Sequence, residues 1–220
     1  MCLLRCQTKR KVCAMTTEIV IFDCDGVLFD TRKSARHYYN VLFAEVGAPI
    51  LTEAQFNSAF MSTVEEAIDQ FIVDPHQKTA AHTLQKKFDS TRFLDEIEVA
   101  PTTLPFVRFL RQFAKTAIVT NRSYSMHEIV DRWQLKNHFD IIVTALDATH
   151  PKPNPEGLQK VLHTFHVLPE NALFIGDSPS DQQASAHAHI PFVSFREPDM
   201  NAAFHITEIP ELATILQLPI

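Results

Sequence analysis

Two hydrophobic rhythms divide this chain. Nearly unbroken apolar runs of four residues recur at 19–22, 117–120, 141–144, 172–175 and 192–195. Such runs are too short for buried helices and are rich in Val, Ile and Phe, so they predict strands, the run at 192–195 being the last. Helix-period segments separate them. They fall at 102–113, at 125–133, over a stretch that Asn154 can cap with Pro155 in its first turn and that ends near His166, and at 181–188. Strands that are apolar throughout, alternating with helices, predict an α/β fold with a parallel sheet covered on both faces.

Between residues 33 and 97 the second rhythm stands alone. Tyr38, Val41, Leu42 and Val46 have helical spacing, and Gly47 then Pro49 mark a stop. A further helix is expected behind Thr52, with Glu53 in its first turn, and another over 64–73, broken by Pro75. A longer one is expected from 76 to 94. No strand-like alternation occurs here, so this stretch reads as a small all-helical unit. The expected organisation is a core from 15–32 and 98–220, a helical insertion at 33–97, and an N-terminal extension at 1–14.

Composition narrows the function classes. The chain has 220 residues, 45% hydrophobic and 21% charged, with a formal net charge of -6. Nucleic-acid binding calls for clustered Lys and Arg over the folded chain, and a net charge of -6 does not suggest it, so no nucleic-acid partner is expected. No apolar run approaches the ~20 residues that cross a bilayer, so no membrane partner is expected either. The extension is basic and holds Cys2, Cys6 and Cys13, but no His or fourth Cys completes a metal-site spacing. It is expected to be disordered or foreign to the native protein, with Met15 as the natural start. Cys24 reads as a small buried apolar residue. Four cysteines without a disulfide framework point to a reducing, cytoplasmic setting. The pattern does not separate monomer from dimer.

The candidate chemistry lies where the strands end. Asp23 and Asp25 follow the first apolar run two residues apart and would share one face of an extended chain, with Gly26 free to turn next. Two carboxylates at ~4 Å repel by about 4 kcal/mol at an effective dielectric near 20, so a cation is needed between or beside them. One acid can then serve as nucleophile and the other as proton carrier, with a hard divalent ion. The bland reading is an acidic turn. A calcium loop is excluded because Val27, Leu28 and Phe29 stand where oxygen ligands would be needed. Thr120, Asn121 and Ser123 follow the second run, where a hydroxyl and fresh backbone N–H groups suit a phosphoryl oxygen. The same residues also read as helix caps. Lys152 sits among Pro151, Pro153 and Pro155, a rigidity that a solvated lysine does not need. Asp177 and Asp181 follow the fourth run; Asp177 is the better metal ligand, and Asp181 also reads as a cap.

These four segments, in this order, resemble the haloacid dehalogenase-like superfamily of phosphohydrolases. They are Asp23-Cys24-Asp25-Gly26, Thr120, Lys152 and Gly176-Asp177-Ser178-Pro179-Ser180-Asp181, and the likeness spans residues 17 to 215. The resemblance implies a Rossmann-like three-layer α/β/α core with a helical cap after the first strand, as in phosphoglycolate phosphatase and β-phosphoglucomutase relatives. It implies that Asp23 attacks phosphorus and that Asp25 protonates the leaving oxygen, then deprotonates water. Magnesium would bind Asp23, the Asp25 carbonyl and Asp177, and Asp181 would hold metal-bound water or orient Lys152. Thr120, the Asn121 amide and Lys152 would hold the phosphoryl oxygens. The dehalogenases of the superfamily lack an acid at the position of Asp25, which favours phosphate-ester chemistry.

Departures from the family bear on substrate. The pocket-facing loop of the cap is expected at 59–66, without the glycine of many relatives or the basic residues of the sugar-phosphate mutases. Arg32, Arg36 and His37 on the first cap helix, and Arg122 in the core, are candidate substrate contacts, with a solvated helix face as the alternative for the first three. His189 stands where relatives have Gly after a helix and is expected to take a positive φ. His163 and His166 share a helix, yet no third ligand is spaced for zinc. The expected function is a magnesium-dependent phosphatase acting on a small phosphate ester. A mutase or pyrophosphatase on the same site, and a non-catalytic phospho-ligand binder, remain as alternatives.

Overall fold

A computed structural model describes residues 16–219. The expectations for residues 1–14, including Cys2, Cys6 and Cys13, lie outside these. Six strands form one parallel sheet: β1 (Ile19–Phe22), β2 (Lys115–Val119), β3 (Ile141–Val143), β4 (Ala172–Gly176), β5 (Phe192–Phe195) and β6 (Phe204–Ile206). Their order is β3-β2-β1-β4-β5-β6.

The side-chain period of two explains the layers. Val20 and Phe22 of β1, with Leu173 and Ile175 of β4, enter one core cluster. Ile19 and Ile21, with Ala172 and Phe174, enter the opposite one. The first cluster is closed by α5 (Thr103–Leu110), α6 (Met126–Arg132) and α9 (Leu212–Ile215), through residues such as Val107, Ile129 and Leu212. The second is closed by α7 (Glu156–Phe165) and α8 (Pro179–Ala188), through Leu158, Val161 and Ala184. All four β1 side chains are fully buried. Truncating one of these to Ala costs about 2–5 kcal/mol.

Four helices precede α5 in the stretch between β1 and β2, consistent with an inserted cap: α1 (Arg32–Glu45), α2 (Glu53–Phe60), α3 (Val64–Phe71) and α4 (Pro75–Gln85). They enclose their own apolar cluster, with Tyr39, Phe43, Phe56 and Ile68 at its centre. Thr52 and Thr63 each close a capping box, which fixes where α2 and α3 begin.

Several elements depart from expectation. The sheet has a sixth strand beyond Phe192–Phe195: β6 is only Phe-His-Ile, and a polar residue at the centre of three leaves no apolar run to detect. The long helix expected over 76–94 is α4 followed by a separate 3-10 turn at Thr91–Glu96. Pro75 opens α4 rather than only ending its predecessor, because the Asp74 carboxylate accepts from the amides of His76 and Gln77, both at 2.9 Å. Asp89 stops the continuation by accepting from the Thr91 amide at 3.1 Å. Helix α7 begins at Glu156, so Pro155 precedes its first turn, and the Asn154 side chain accepts from the Glu156 amide at 3.0 Å.

The register brings the functional segments together. Phe22 is level with Ile118 on one side and Ile175 on the other. The residues that follow these three therefore emerge side by side. The strand order reverses between β1 and β4, where doubly wound sheets open a crevice at the carboxyl edge.

Candidate active site

β1 delivers the first two acids. The Asp23 amide still donates to the Ile175 carbonyl at 2.9 Å, so Asp23 is held by the sheet ladder. The chain then curls: Leu28 N–H donates to the Cys24 carbonyl at 3.1 Å and Gly26 N–H to the Phe29 carbonyl at 2.8 Å. Gly26 has φ +84, and a Cβ there would overlap Oδ2 of Asp177. Glycine is thus required twice, for the turn and for the approach of Asp177. Asp23 and Asp25 leave this curl toward different cations rather than from one extended face. Cys24 between them is fully buried.

Lys152 reaches Asp23 from the other side. Its Nζ donates to Asp23 Oδ1 at 2.7 Å and to Asp181 Oδ1 at 2.6 Å, with all three side chains buried. Asn121 fixes the lysine backbone: its Nδ2 donates to the Lys152 carbonyl and its Oδ1 accepts from the Lys152 amide, both at 2.9 Å. The second oxygen of Asp181 accepts from Ser178, from Oγ at 2.6 Å and from the amide at 3.1 Å. Both Asp181 oxygens are therefore occupied, and Asp181 orients Lys152 while closing the capping box of α8. Gly176 makes room for this, since a Cβ there would run into Asp181.

Asp177 follows β4, and one carboxylate oxygen each of Asp23, Asp177 and Asp181 lie within 4.8 Å of one another. Burial pushes the Asp23 carboxyl up, Lys152 pulls it down and Asp181 and Asp25 push it up again, to about 7. Burial, then Asp23 and Asp181, push Asp177 up to about 8. The Lys152 ammonium is lowered by burial but raised further by Asp181 and Asp23, well above an ordinary lysine. Three carboxylates thus share one ammonium. This donor set, oxygen only and short of positive charge, fits a hard divalent cation, and Asp23 and Asp177 are the two with oxygens to spare.

Asp25 is paired differently. Arg122 Nε donates to Asp25 Oδ2 at 3.1 Å and Nη2 donates to Oδ1. Burial raises the Asp25 carboxyl, but the Arg122 charge and hydrogen bonds outweigh it and hold Asp25 below the usual carboxylate range. Thr120 is buried, and its Oγ1 accepts from the Arg122 amide at 3.1 Å.

Asp23, Asp25, Thr120, Asn121, Arg122, Lys152 and Asp177 line one cavity of about 100 Å³, and Asp181 lies behind it. Its opposite wall comes from the helical insertion, with Tyr38, Phe60, Met61 and Phe93. Of the loop expected at 59–66, residues 59 to 62 and Val64 line the cavity, and Glu65 and Glu66 do not. Arg32, Arg36 and His37 are not on its wall. Arg32 pairs with Glu53 at 3.2 Å, Arg36 also pairs with Glu53 and lies over Phe56, and His37 meets Glu96 at 3.1 Å. Acidic neighbours on other elements took these side chains, a choice that helical spacing does not encode.

Glu128 on α6 is a cavity residue that the sequence pattern did not single out. It is buried and accepts from the Ser90 hydroxyl and from the Ser90 amide at 3.2 Å, tying the end of the insertion to the core. A charged residue in a helical segment carries no signal of such a partner.

The parallel sheet, the crevice at its switch point and the aspartate cluster define an α/β protein with a candidate metal centre at the carboxyl edge of its sheet. The chain matches the haloacid dehalogenase-like hydrolase family over residues 20–195, and it belongs to that family. It is similar to the pyrophosphatase PpaX of Bacillus cereus, 28% identical over 177 residues that cover 76% of this chain and 77% of that one. Among solved structures it is similar to a subfamily IA, variant 1 hydrolase of the same superfamily from Geobacter sulfurreducens, with TM-score 0.73, 29% identity and coverage of 91% and 97%. The fold is also that of CbbY from Rhodobacter sphaeroides, solved with phosphate, with TM-score 0.78, 20% identity and coverage of 92% and 100%. Among the described residues no helix is long and apolar enough to cross a membrane.

Proposed function

We propose that the protein is a magnesium-dependent phosphatase that hydrolyses a small phosphate ester through an aspartyl-phosphate on Asp23. The observation that carries this reading is the meeting of Asp23 with Lys152 at 2.7 Å, with Asp177 beside them and Asp25 on the same cavity wall. One Asp23 oxygen attacks phosphorus, and the bond to the leaving oxygen breaks as the new bond forms. Asp25 first takes up a proton from solvent and gives it to that oxygen, then takes one from the water that attacks the aspartyl-phosphate. The second step releases inorganic phosphate and restores Asp23. Lys152, Thr120 and the backbone amide of Asn121 hold the phosphoryl oxygens in place; in this chemistry positioning and charge neutralisation supply most of the rate. Asp23, Asp177 and the Asp25 carbonyl would hold magnesium, which would supply further charge neutralisation at the phosphoryl group. The apolar and aromatic wall opposite excludes water from the reaction.

A mutase must hold two phosphates at once, and the wall from the insertion offers no cation for the second. A mere phospho-ligand binder has no use for Asp25. The likeness to a pyrophosphatase favours an anhydride as one candidate substrate.

The test is release of phosphate from a broad set of metabolites, with and without magnesium. Asp23→Asn removes the nucleophile and is expected to abolish turnover of an aryl phosphate. Near-normal activity in that variant would refute the mechanism.

A further inference from the structure

Arg122 occupies both oxygens of Asp25. Nε donates to Oδ2 at 3.1 Å, Nη2 donates to Oδ1, and Nη1 donates to Ser125 Oγ at 3.0 Å. A carboxylate gripped in this way has both oxygens turned to the guanidinium rather than to a leaving group. The reaction proposed above therefore needs Asp25 let go. The planar guanidinium fork that grips it matches any other carboxylate or phosphate equally well.

The surroundings say what can take its place. Lys152 and Arg122 are the only basic side chains among the described residues that line the cavity. Lys152 is held by Asp23 and Asp181. Arg32 and Arg36 are turned to Glu53 outside the cavity. A second anion on the substrate thus has one partner available, on the core wall close to the acid it would displace. A neutral leaving group brings nothing to exchange for Asp25. A second phosphate far out on a sugar would meet Tyr38, Phe60, Met61 and Phe93 instead.

We infer that Arg122 changes partners during turnover: it holds Asp25 in the free enzyme and passes to a second anionic group next to the scissile oxygen, freeing Asp25 for proton transfer. The substrate class is then a compact phosphate ester or anhydride whose leaving group bears a phosphate or carboxylate. This rests on the phosphatase reading for the role of Asp25, and the guanidinium remains the anion's binding partner whether or not that role holds.

The experiment compares inorganic pyrophosphate and phosphoglycolate with para-nitrophenyl phosphate, in magnesium, for the wild-type protein and Arg122→Gln. The ratio of the KM for each anionic substrate to the KM for the aryl ester is expected to rise roughly tenfold or more, as a charge-assisted fork is lost. Arg122→Lys, a point charge without the fork, is expected to recover part of the anionic KM. A KM that rises alike for all three substrates, or for none, overturns the inference. Calorimetric titration of the magnesium-loaded wild-type protein with phosphonoacetate and with methylphosphonate reads the same preference without turnover or a variant. Phosphonoacetate is expected to bind roughly tenfold tighter or more, and equal affinities overturn the inference. A wild-type protein that shows this preference yet releases phosphate from none of the three substrates sinks the phosphatase reading instead.

Discussion

The ammonium of Lys152 lies 2.7 Å from a carboxylate oxygen of Asp23, although 129 residues separate them and both side chains are buried. Lys152→Met leaves Asp23 and the fully buried Asp181 without their counter-charge. Breaking a buried pair from one side costs about 3–5 kcal/mol, because the remaining charge stays desolvated. The unfolding free energy of the metal-free variant from urea titration is expected to fall by that amount, with a lower midpoint, and phosphate release to fall about 100-fold or more. Magnesium is expected to recover part of the stability and little of the activity. A midpoint equal to that of the native protein would mean that the pair does not carry the charge balance of the site.

Asp23 and Asp177 give a pH dependence with a definite sign. Both carboxyls are raised in the folded protein, from 3.8 to about 7 and about 8. Between these limits the folded state binds more protons than the unfolded chain, so stability falls as pH rises from about 4 to about 8. A cation takes deprotonated carboxylates, so it binds more tightly as pH rises and opposes this loss. Thermal unfolding of the metal-free protein is expected to show a melting temperature that declines over this window. Added magnesium is expected to raise it more at pH 8 than at pH 5. In Asp177→Asn both the decline and the magnesium response should shrink. A magnesium shift as large in that variant as in the native protein counts against Asp177 as a ligand.

Gly26 makes room for Asp177, a proposed ligand of that cation, by what it lacks. Its φ of +84 and the closeness of Asp177 Oδ2 leave no place for a methyl group. Gly26→Ala is expected to destabilise the protein by about 1–2 kcal/mol through the left-handed backbone. It should also push Asp177 aside, removing most of the magnesium-induced rise in melting temperature. A variant that is less stable yet keeps the full magnesium response would confine the role of Gly26 to the turn.

Legibility in the sequence followed physical contrast. β1 stood out because Ile19-Val20-Ile21-Phe22 is buried on both faces and interrupted by nothing polar. β6 did not, since His205 lies exposed at its middle. Asp23, Lys152, Asp177 and Asp181 could be gathered in advance because each follows an apolar run or sits in a stiff loop, and the register then sets their neighbours. The partners of long flexible side chains were not legible. Arg32 and Arg36 had a free choice between cavity and helix surface, and Glu53 on α2 decided it. The grip of Arg122 on Asp25, 97 residues away, and that of Ser90 on Glu128 depend on how two separate turns come to face each other. No local period records that.

The end of α8 tests whether a backbone misfit can be separated from the chemistry. His189 caps this helix with φ 59 and ψ 29, the left-handed region that a Cβ disfavours. The geometry is imposed by closure of the helix: the His189 amide donates to the Ala186 carbonyl at 3.2 Å and the Ile190 amide to the Ser185 carbonyl at 3.0 Å. Ile190 is buried beyond it, so the chain cannot relax by swinging out. The imidazole is exposed and offers little in return. His189→Gly removes the Cβ strain of about 1–2 kcal/mol, and the greater freedom of glycine in the unfolded chain takes back about half of that. The net gain is expected to be about 0.5–1 kcal/mol, or about 1–4 °C in melting temperature for a chain of this size. His189→Ala keeps the Cβ and is expected to gain nothing, which separates the backbone effect from any role of the ring. Phosphate release should be alike in all three proteins, because His189 is not among the residues that line the cavity. If alanine stabilises as much as glycine, the ring rather than the backbone was the source of strain.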